Sequence, residues 1–457
     1  MILLLMMMMM MQGENTDDSE TPADTLSSSI HTGKDSDASS TLKHKADKAH
    51  LPGELDRKSV ARAFWESELY KELLEWDLVE KWAFTVEPSS DDFTGPKDAA
   101  AEYIVRSRAA SMYSHECHEG CKNKGCGKLY VLDGNWKLCY AHCMFPVSIS
   151  IPGYETEINY PNICPRSPEY QSAFCDRHCQ VVKQKGIPTE LRTFLDYCRN
   201  KKQDPENVLK DIESPGHSVS ELTENAAVYQ GTRSFMAANM TLLKDCEEEV
   251  PVQCNKDTVG KRRLQKWSRG IFLIATAGGH IDFWQPLYKS ESPSQAFLIT
   301  IVWMYNKFKQ MKESGKSDQE VLKAMEETVL AYDNMCHLDS LRAAKKDLPL
   351  PPPFNKMWTT VEKVIDQLHL KNHKDPSCKV NYDPDHILSK SFNTMAAEQV
   401  NVWASRLKRI MVALPYVHHM FFFHRMVKRR NAYSQFCYST GRQPVVPKCA
   451  KKWFERS

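Results

Sequence analysis

The chain has 457 residues, of which 42% are hydrophobic and 26% charged. That is ordinary for a folded protein with room for two or three domains, or for one core with large insertions. A formal net charge of +2 excludes a uniformly basic clamp, so any nucleic-acid surface must come from local clustering. Fifteen cysteines with no recognisable secretory signal point to reduced, metal-binding thiols rather than to a disulfide framework.

The opening MILLLMMMMMM lacks a basic flank and is too short to cross a bilayer, so it is read as having no fold content. Residues 1–52 are rich in Ser, Thr, Asp and Lys, a composition that cannot bury enough apolar surface to order itself. Residues 53–114 read as helical, with Val60, Phe64, Leu69, Leu73, Leu74 and Leu78 near helical spacing and a second helix over 98–113. Residues 115–190 form a Cys/His-rich segment that contains a short buried strand, Leu129–Leu132, ending at Asp133-Gly134. Residues 191–440 complete the core, and 441–457 form a basic tail.

Within the core, a mixed region over 187–245 reads as mostly helical, with Leu191, Phe194 and Leu195 on one face. Residues 270–276 (GIFLIAT) are a strand, Gly278-Gly279 a turn, and His280–Trp284 the returning strand. Helices are expected over 294–312 and 318–328, then a strand Val329–Tyr332 ending at Asp333. The apolar stretch 297–305 is too short for a membrane span, and no other segment suggests one. Pro349–Pro353 is a rigid spacer, and Val361–Leu370 stays open between helix and strand. One long helix is expected from Thr394, with Trp403, Leu407, Ile410, Met411 and Leu414 on one side. The fold class is therefore mixed α/β, with a Cys/His insert after the first strand and helical flanks. The antiparallel hairpin separates it from a doubly wound parallel sheet.

Asp133, Asp333 and Glu398 stand at two strand ends and on a late helix. Carboxylates placed so can converge on Mg²⁺ or Mn²⁺, hard ions that take oxygen ligands and leave positions open for water and phosphate. The plainer alternatives are a turn residue for an Asp before Gly and a solvated Glu, since Glu398 lies opposite the Trp403–Leu414 stripe on a helical wheel. The dense Cys/His segment is suited to tetrahedral Zn²⁺, with Cys139-x-x-x-Cys143 and Cys175-x-x-His178 as usable half-sites. Cys198, Cys246, Cys254, Cys336, Cys378, Cys437 and Cys449 read as buried thiols.

The ordered run KLYVLDGNWK, GIFLIATAGGHIDFWQPLYKSES, AYDNMC, LHLKNH, NTMAAEQVNVW and FFFHRMVKRRN resembles the Kyakuja-Dileera-Zisupton transposases, most of all their animal branch with associated cysteine clusters. The resemblance spans roughly residues 115–437. It implies a ribonuclease H-like core, cut-and-paste DNA transposition, and a catalytic triad of Asp133 (DGN motif), Asp333 (YD-x-x-C) and Glu398. A Cys ten beyond the DGN Asp is a ligand in the family, which falls on Cys143. The expected sites are then Cys143, Cys164, Cys175 and His178, and a second from Cys117, Cys121, Cys126 and Cys139, with His115, His118 or His142 as substitutes. The zinc would be structural. A Trp five residues beyond Glu398 departs from the family, where many members place the aromatic three beyond, and the N-terminal region is short.

Two basic runs flank these motifs: Lys261, Arg262, Arg263, Lys266 and Arg269, and Arg425, Lys428, Arg429 and Arg430. Each suits either DNA phosphates or a solvated face and nuclear-import signal. His369 and His373, four apart, either assist a metal site or satisfy a core hydrogen bond. The expected partner is double-stranded DNA, bound in the nucleus by a possible homo-oligomer and without a membrane. The competing expectation is a catalytically inactive, domesticated descendant that keeps zinc and DNA binding. A zinc-stabilised module of the ubiquitin system is weaker, because paired cysteines at cross-brace spacing are missing.

Overall fold

The computed structural model describes residues 57–80, 96–108, 112–146, 149–150, 157–158, 163–210, 212, 254, 266–348 and 350–445. The low-complexity segment 1–52, residues 213–245 of the mixed helical region, Lys261, Arg262 and Arg263, and most of the basic tail lie outside them. The chain divides into two compact units, residues 1–100 and 101–457. In the first, helix α1 (Arg57–Glu75) buries Leu69 and Leu73 but leaves Leu74 53% exposed, so not every apolar residue of the predicted stripe faces inward. Helix α2 (Pro96–Arg108) crosses the boundary between the units.

The second unit is built on a five-stranded mixed sheet. Its strands are β1 (Leu129–Asn135), β2 (Gly270–Thr276), β3 (Ile281–Leu287), β4 (Val329–Tyr332) and β5 (Glu362–Val364), in the spatial order β3-β2-β1-β4-β5. β1 pairs antiparallel with β2 and parallel with β4; β2–β3 is antiparallel and β4–β5 parallel. Every residue of β2 and β3 is buried, which is why GIFLIAT reads as a continuous apolar run rather than an alternation. The Gly278-Gly279 turn forms as expected, with Gly279 at φ +85.

Helix α3 (Asp176–Gln184) lies in the Cys/His segment, and α4 (Leu191–Asn200) follows directly after it. Helix α5 (Pro293–Glu313) starts from Ser292, whose side chain accepts from the Gln295 N–H, with Pro at its first turn. Its first half is buried on all sides from Gln295 to Met304, as expected of a helix covered by both sheet and neighbouring helices. α6 (Asp318–Glu326) opens with a Ser317/Glu320 capping box. The open segment 361–370 resolves into β5 followed by one helical turn, α7 (Gln367–Leu370), capped by Asp366.

The expected long helix from Thr394 is three helices: α8 (Ala396–Ser405), α9 (Lys408–Met411) and α10 (Tyr416–Ser439). Pro415 has no N–H to donate and disfavours helical backbone at the residue before it, so the run restarts there. The stripe Trp403–Leu414 therefore belongs to more than one helix. The Cys/His segment carries its own small core of Phe145, Phe174, Val182 and Phe194, with Leu191 and Leu195 packed against it.

Candidate active site and metal centres

The register of the sheet sets the acidic site. Leu132 pairs with Tyr332 on the parallel neighbour, so Asp133 and Asp333 follow directly at the same end of adjacent strands. Asp133 is not a turn residue: β1 continues through Gly134 to Asn135, which corrects the reading of Asp133-Gly134 as a strand terminus. Helix α8 packs across this end. Asn401 donates from Nδ2 to Asp133 Oδ2 at 2.6 Å, while Asn135 Nδ2 donates to the Asn401 carbonyl at 3.2 Å. Glu398 stands three residues before Asn401, so the two share the face of α8 turned towards β1. Asp133, Asp333 and Glu398 are each half-buried, neither sealed in the core nor loose on the surface.

Three further side chains complete the cluster. Glu291 accepts from Trp136 Nε1 and from the Tyr332 hydroxyl, and it lies against Gly134 so closely that a Cβ there would overlap its carboxylate. Asp366 accepts from His369 Nδ1 at 2.7 Å, and His369 Nε2 faces Glu398 Oε1 at 3.8 Å. Neither Glu291 nor Asp366 carries a sequence signal that marks it in advance.

Electrostatics follow from this crowding. Burial, then the charges of Glu398, Asp333 and Glu291, push Asp133 well above the usual carboxylate range, against the Asn401 hydrogen bond. Asp333 is pushed well up by burial and then Glu291, with His369 opposing. Burial raises Glu398 too, with His369 again opposing. Burial works against the His369 cation, but its bond to Asp366 and the charges of Asp366, Asp333 and Glu398 outweigh it and raise this imidazole to about 9. Half-buried carboxylates that repel one another form a donor set whose charge a divalent cation would offset.

The cysteines arrange differently. Among the described residues, three groups have ligand atoms all within 4.8 Å of one another: His115, Cys117, Cys121 and Cys126; Cys143, Cys164, Cys175 and His178; and Cys254, Cys336, His373 and Cys378. Each could hold a zinc ion. The carboxylates are not among these groups. The second group contains all four residues expected from the sequence. His178 Nδ1 lies 3.3 Å from both Cys143 and Cys175, and its ring stacks on Phe145 at 4.1 Å. Cys175 caps α3 and His178 sits in its first turn.

In the first group His115 takes the place expected of Cys139. Its Nε2 lies 3.0 Å from Cys126 and 3.2 Å from Cys117. Cys139 is buried past the end of β1. The His118 backbone carbonyl accepts from Cys121, and His142 places Nδ1 2.9 Å from the Cys143 carbonyl; neither residue is among the three groups. Cys254, Cys336 and Cys378 are buried, as read from the sequence, but they also stand together with His373 in the third group, which the sequence reading did not foresee. Its signal is weak in sequence, because only His373 and Cys378 are near neighbours.

Of the basic residues, Arg425 and Arg430 are buried, the latter within 5.9 Å of the Trp403 ring. Lys428 and Arg429 of the same run are partly exposed. Lys266 lies over Trp267, and Arg269 is buried over Trp136. Among the described residues no helix is long and apolar enough to cross a membrane. No family model matches the chain, and neither a curated protein nor a solved structure matches it.

Proposed function

We propose that the chain is a metal-dependent DNA strand-transferase of the ribonuclease H-like transposase class, with Asp133, Asp333 and Glu398 as its carboxylate triad. The observation that carries this reading is the placing of Asp133 and Asp333 at one end of adjacent parallel strands, with the helix bearing Glu398 packed across that end. The sheet around β1, a hairpin on one side and parallel strands on the other, supports the ribonuclease H-like core that the resemblance implies.

Mg²⁺ or Mn²⁺ held by these carboxylates would supply charge neutralisation for an attacking and a leaving oxygen. The chain's own residues do the rest. Asn401 fixes the orientation of Asp133, and the protonated His369 offsets part of the negative charge beside Glu398 and Asp366. Glu291, anchored by Trp136 and Tyr332, adds to the field that draws cations in. Double-stranded DNA, bound in the nucleus and by more than one copy of the chain, is the proposed substrate. Zinc in the groups around Cys117 and Cys143 would be structural, since each offers four donors and no open position.

A second reading is favoured by one detail. Asn401 and His369 already engage the carboxylates, and the acidic residues do not close as tightly as the thiols. A recruited descendant that has lost catalysis while keeping zinc and DNA binding fits that detail. The deciding experiment incubates supercoiled and linear DNA with the purified chain in Mn²⁺. Cleavage that disappears in Asp133→Asn and Asp333→Asn supports the enzyme. DNA binding without cleavage in the unsubstituted chain supports the descendant.

A further inference from the structure

The third Cys/His group plays no part in the function proposed above, and its ligands come from three separate segments. Cys254, Cys336 and Cys378 are buried. Cys254 and Cys378 place their sulfurs 3.6 Å apart, and Cys336 Sγ lies 3.6 Å from His373 Nδ1. Tetrahedral zinc with its usual bond lengths sets sulfurs roughly 3.8 Å apart, and sulfur and nitrogen roughly 3.6 Å apart. Packed thiols alone could reach such separations, so the surroundings decide.

Two features point to a metal rather than to packing. The Asp375 backbone N–H is directed at Cys254 Sγ at 3.4 Å, a donor that suits a thiolate better than a thiol. His373 Nε2 lies 2.8 Å from the Asp333 carbonyl oxygen. A carbonyl only accepts, so Nε2 carries the proton and Nδ1 turns a lone pair towards the thiols. A backbone carbonyl behind an imidazole, fixing its tautomer, is the usual outer partner of a metal-bound histidine.

We propose that Cys254, Cys336, His373 and Cys378 bind a third zinc ion. The ion ties Cys254, His373 and the short helix Pro376–Asn381 that carries Cys378 to the short helix Met335–Asp339 that follows Asp333 and carries Cys336. It is a closed site, and it sits behind the acidic cluster rather than within it.

The test counts metal on the full chain. Elemental analysis of the unsubstituted protein and of Cys254→Ser/Cys378→Ser should differ by one zinc per chain. Cobalt exchanged for zinc gives a second readout. With three cysteines in each of the three groups, the thiolate-to-cobalt absorption should fall by about a third in the variant. Should that variant fail to fold, His373→Cys keeps four soft ligands, and it should retain the full zinc count where His373→Ala loses one. Equal zinc in the unsubstituted and double-variant proteins, or iron in its place, overturns the proposal, as does a full count in His373→Ala. None of these readouts uses DNA cleavage, so failure here is separate from failure of the strand-transfer reading.

Discussion

The acidic end of the sheet and the buried thiol groups are both concentrations of metal-binding side chains, yet they are built on opposite plans. The thiols are mostly buried, and their donors already stand within 4.8 Å of one another. The carboxylates are half-buried, raised in pKa by burial and then by neighbouring acidic charges, and Asp133 and Asp333 are held by hydrogen bonds from Asn401 and the backbone of Gly134 and Asn334. A closed set of four soft donors suits a permanent structural ion, and an open set of hard donors suits an ion that shares its shell with water and phosphate. The two sets of side chains thus differ in exposure and in donor type, the thiol groups being the ones whose donors stand close enough to hold an ion.

The sharpest way to break this comparison is at the open site. Asp133→Asn or Asp333→Asn should lower DNA cleavage by about a thousandfold or more, on the order of 4 kcal/mol of transition-state stabilisation. Gel-shift affinity for DNA should stay unchanged. Residual cleavage near the unsubstituted rate would remove these carboxylates from the chemistry.

At the closed sites the loss should appear in folding. Cys175→Ser or His178→Ala should release one zinc and destabilise the Cys/His segment by about 3 kcal/mol or more, read as limited proteolysis within 163–200. Chelation of Mg²⁺ or Mn²⁺ alone should leave that digest unaltered. If both treatments open the segment equally, the two kinds of site are not independent.

A smaller effect is expected for DNA affinity. Lys428→Glu with Arg429→Glu should weaken binding about tenfold at low salt and reduce the slope of log affinity against log salt by roughly two. Filter binding over a salt series measures it. An unchanged slope would make that run a solvated helix face.

The smallest effect concerns the metal-free protein. The folded-state pKa of Asp133 lies above the unfolded one, so the unfolded chain releases its proton first. This carboxylate therefore costs stability as pH rises past the ordinary Asp value, and at neutral pH the cost is present. Asp133→Asn should raise the melting temperature of metal-free protein by about 2–4 °C at neutral pH. The gain should shrink towards pH 4. A variant that melts lower at neutral pH would show that the Asn401 hydrogen bond outweighs the repulsion.

Much of the sheet was legible because its strands are unusually plain. GIFLIAT and VLAY are apolar runs bounded by polar or glycine positions, and both strands begin and end where those runs do. The breaks after Ser405 and before Tyr416 were not legible, because apolar residues continue at helical spacing across them and only Pro415 marks the restart. The group around Cys143 was legible from its short spacers and the family pattern. The group around Cys254 was not, because three-dimensional closure brings together residues that sequence separates widely. Of the second expected site, Cys139 is replaced by His115, one of the substitutes the sequence offered: Cys139 lies past β1, whereas His115, Cys117, Cys121 and Cys126 all precede that strand. Glu291 was missed because an isolated carboxylate in a polar stretch carries no period, and Asp366 because it lies in the segment 361–370 whose secondary structure stayed open.

Gly134 turns one of these details into a rule about what the chain tolerates. Glycine follows the aspartate here not to bend the backbone but to leave room, since the Glu291 carboxylate occupies the volume a side chain would need. Even alanine must displace Glu291, and with it the contacts to Trp136 and Tyr332. Since the obstacle is the end of a flexible side chain, Gly134→Ala should be tolerated with Glu291 turned aside, and its effect should vanish once position 291 is shortened to Ala.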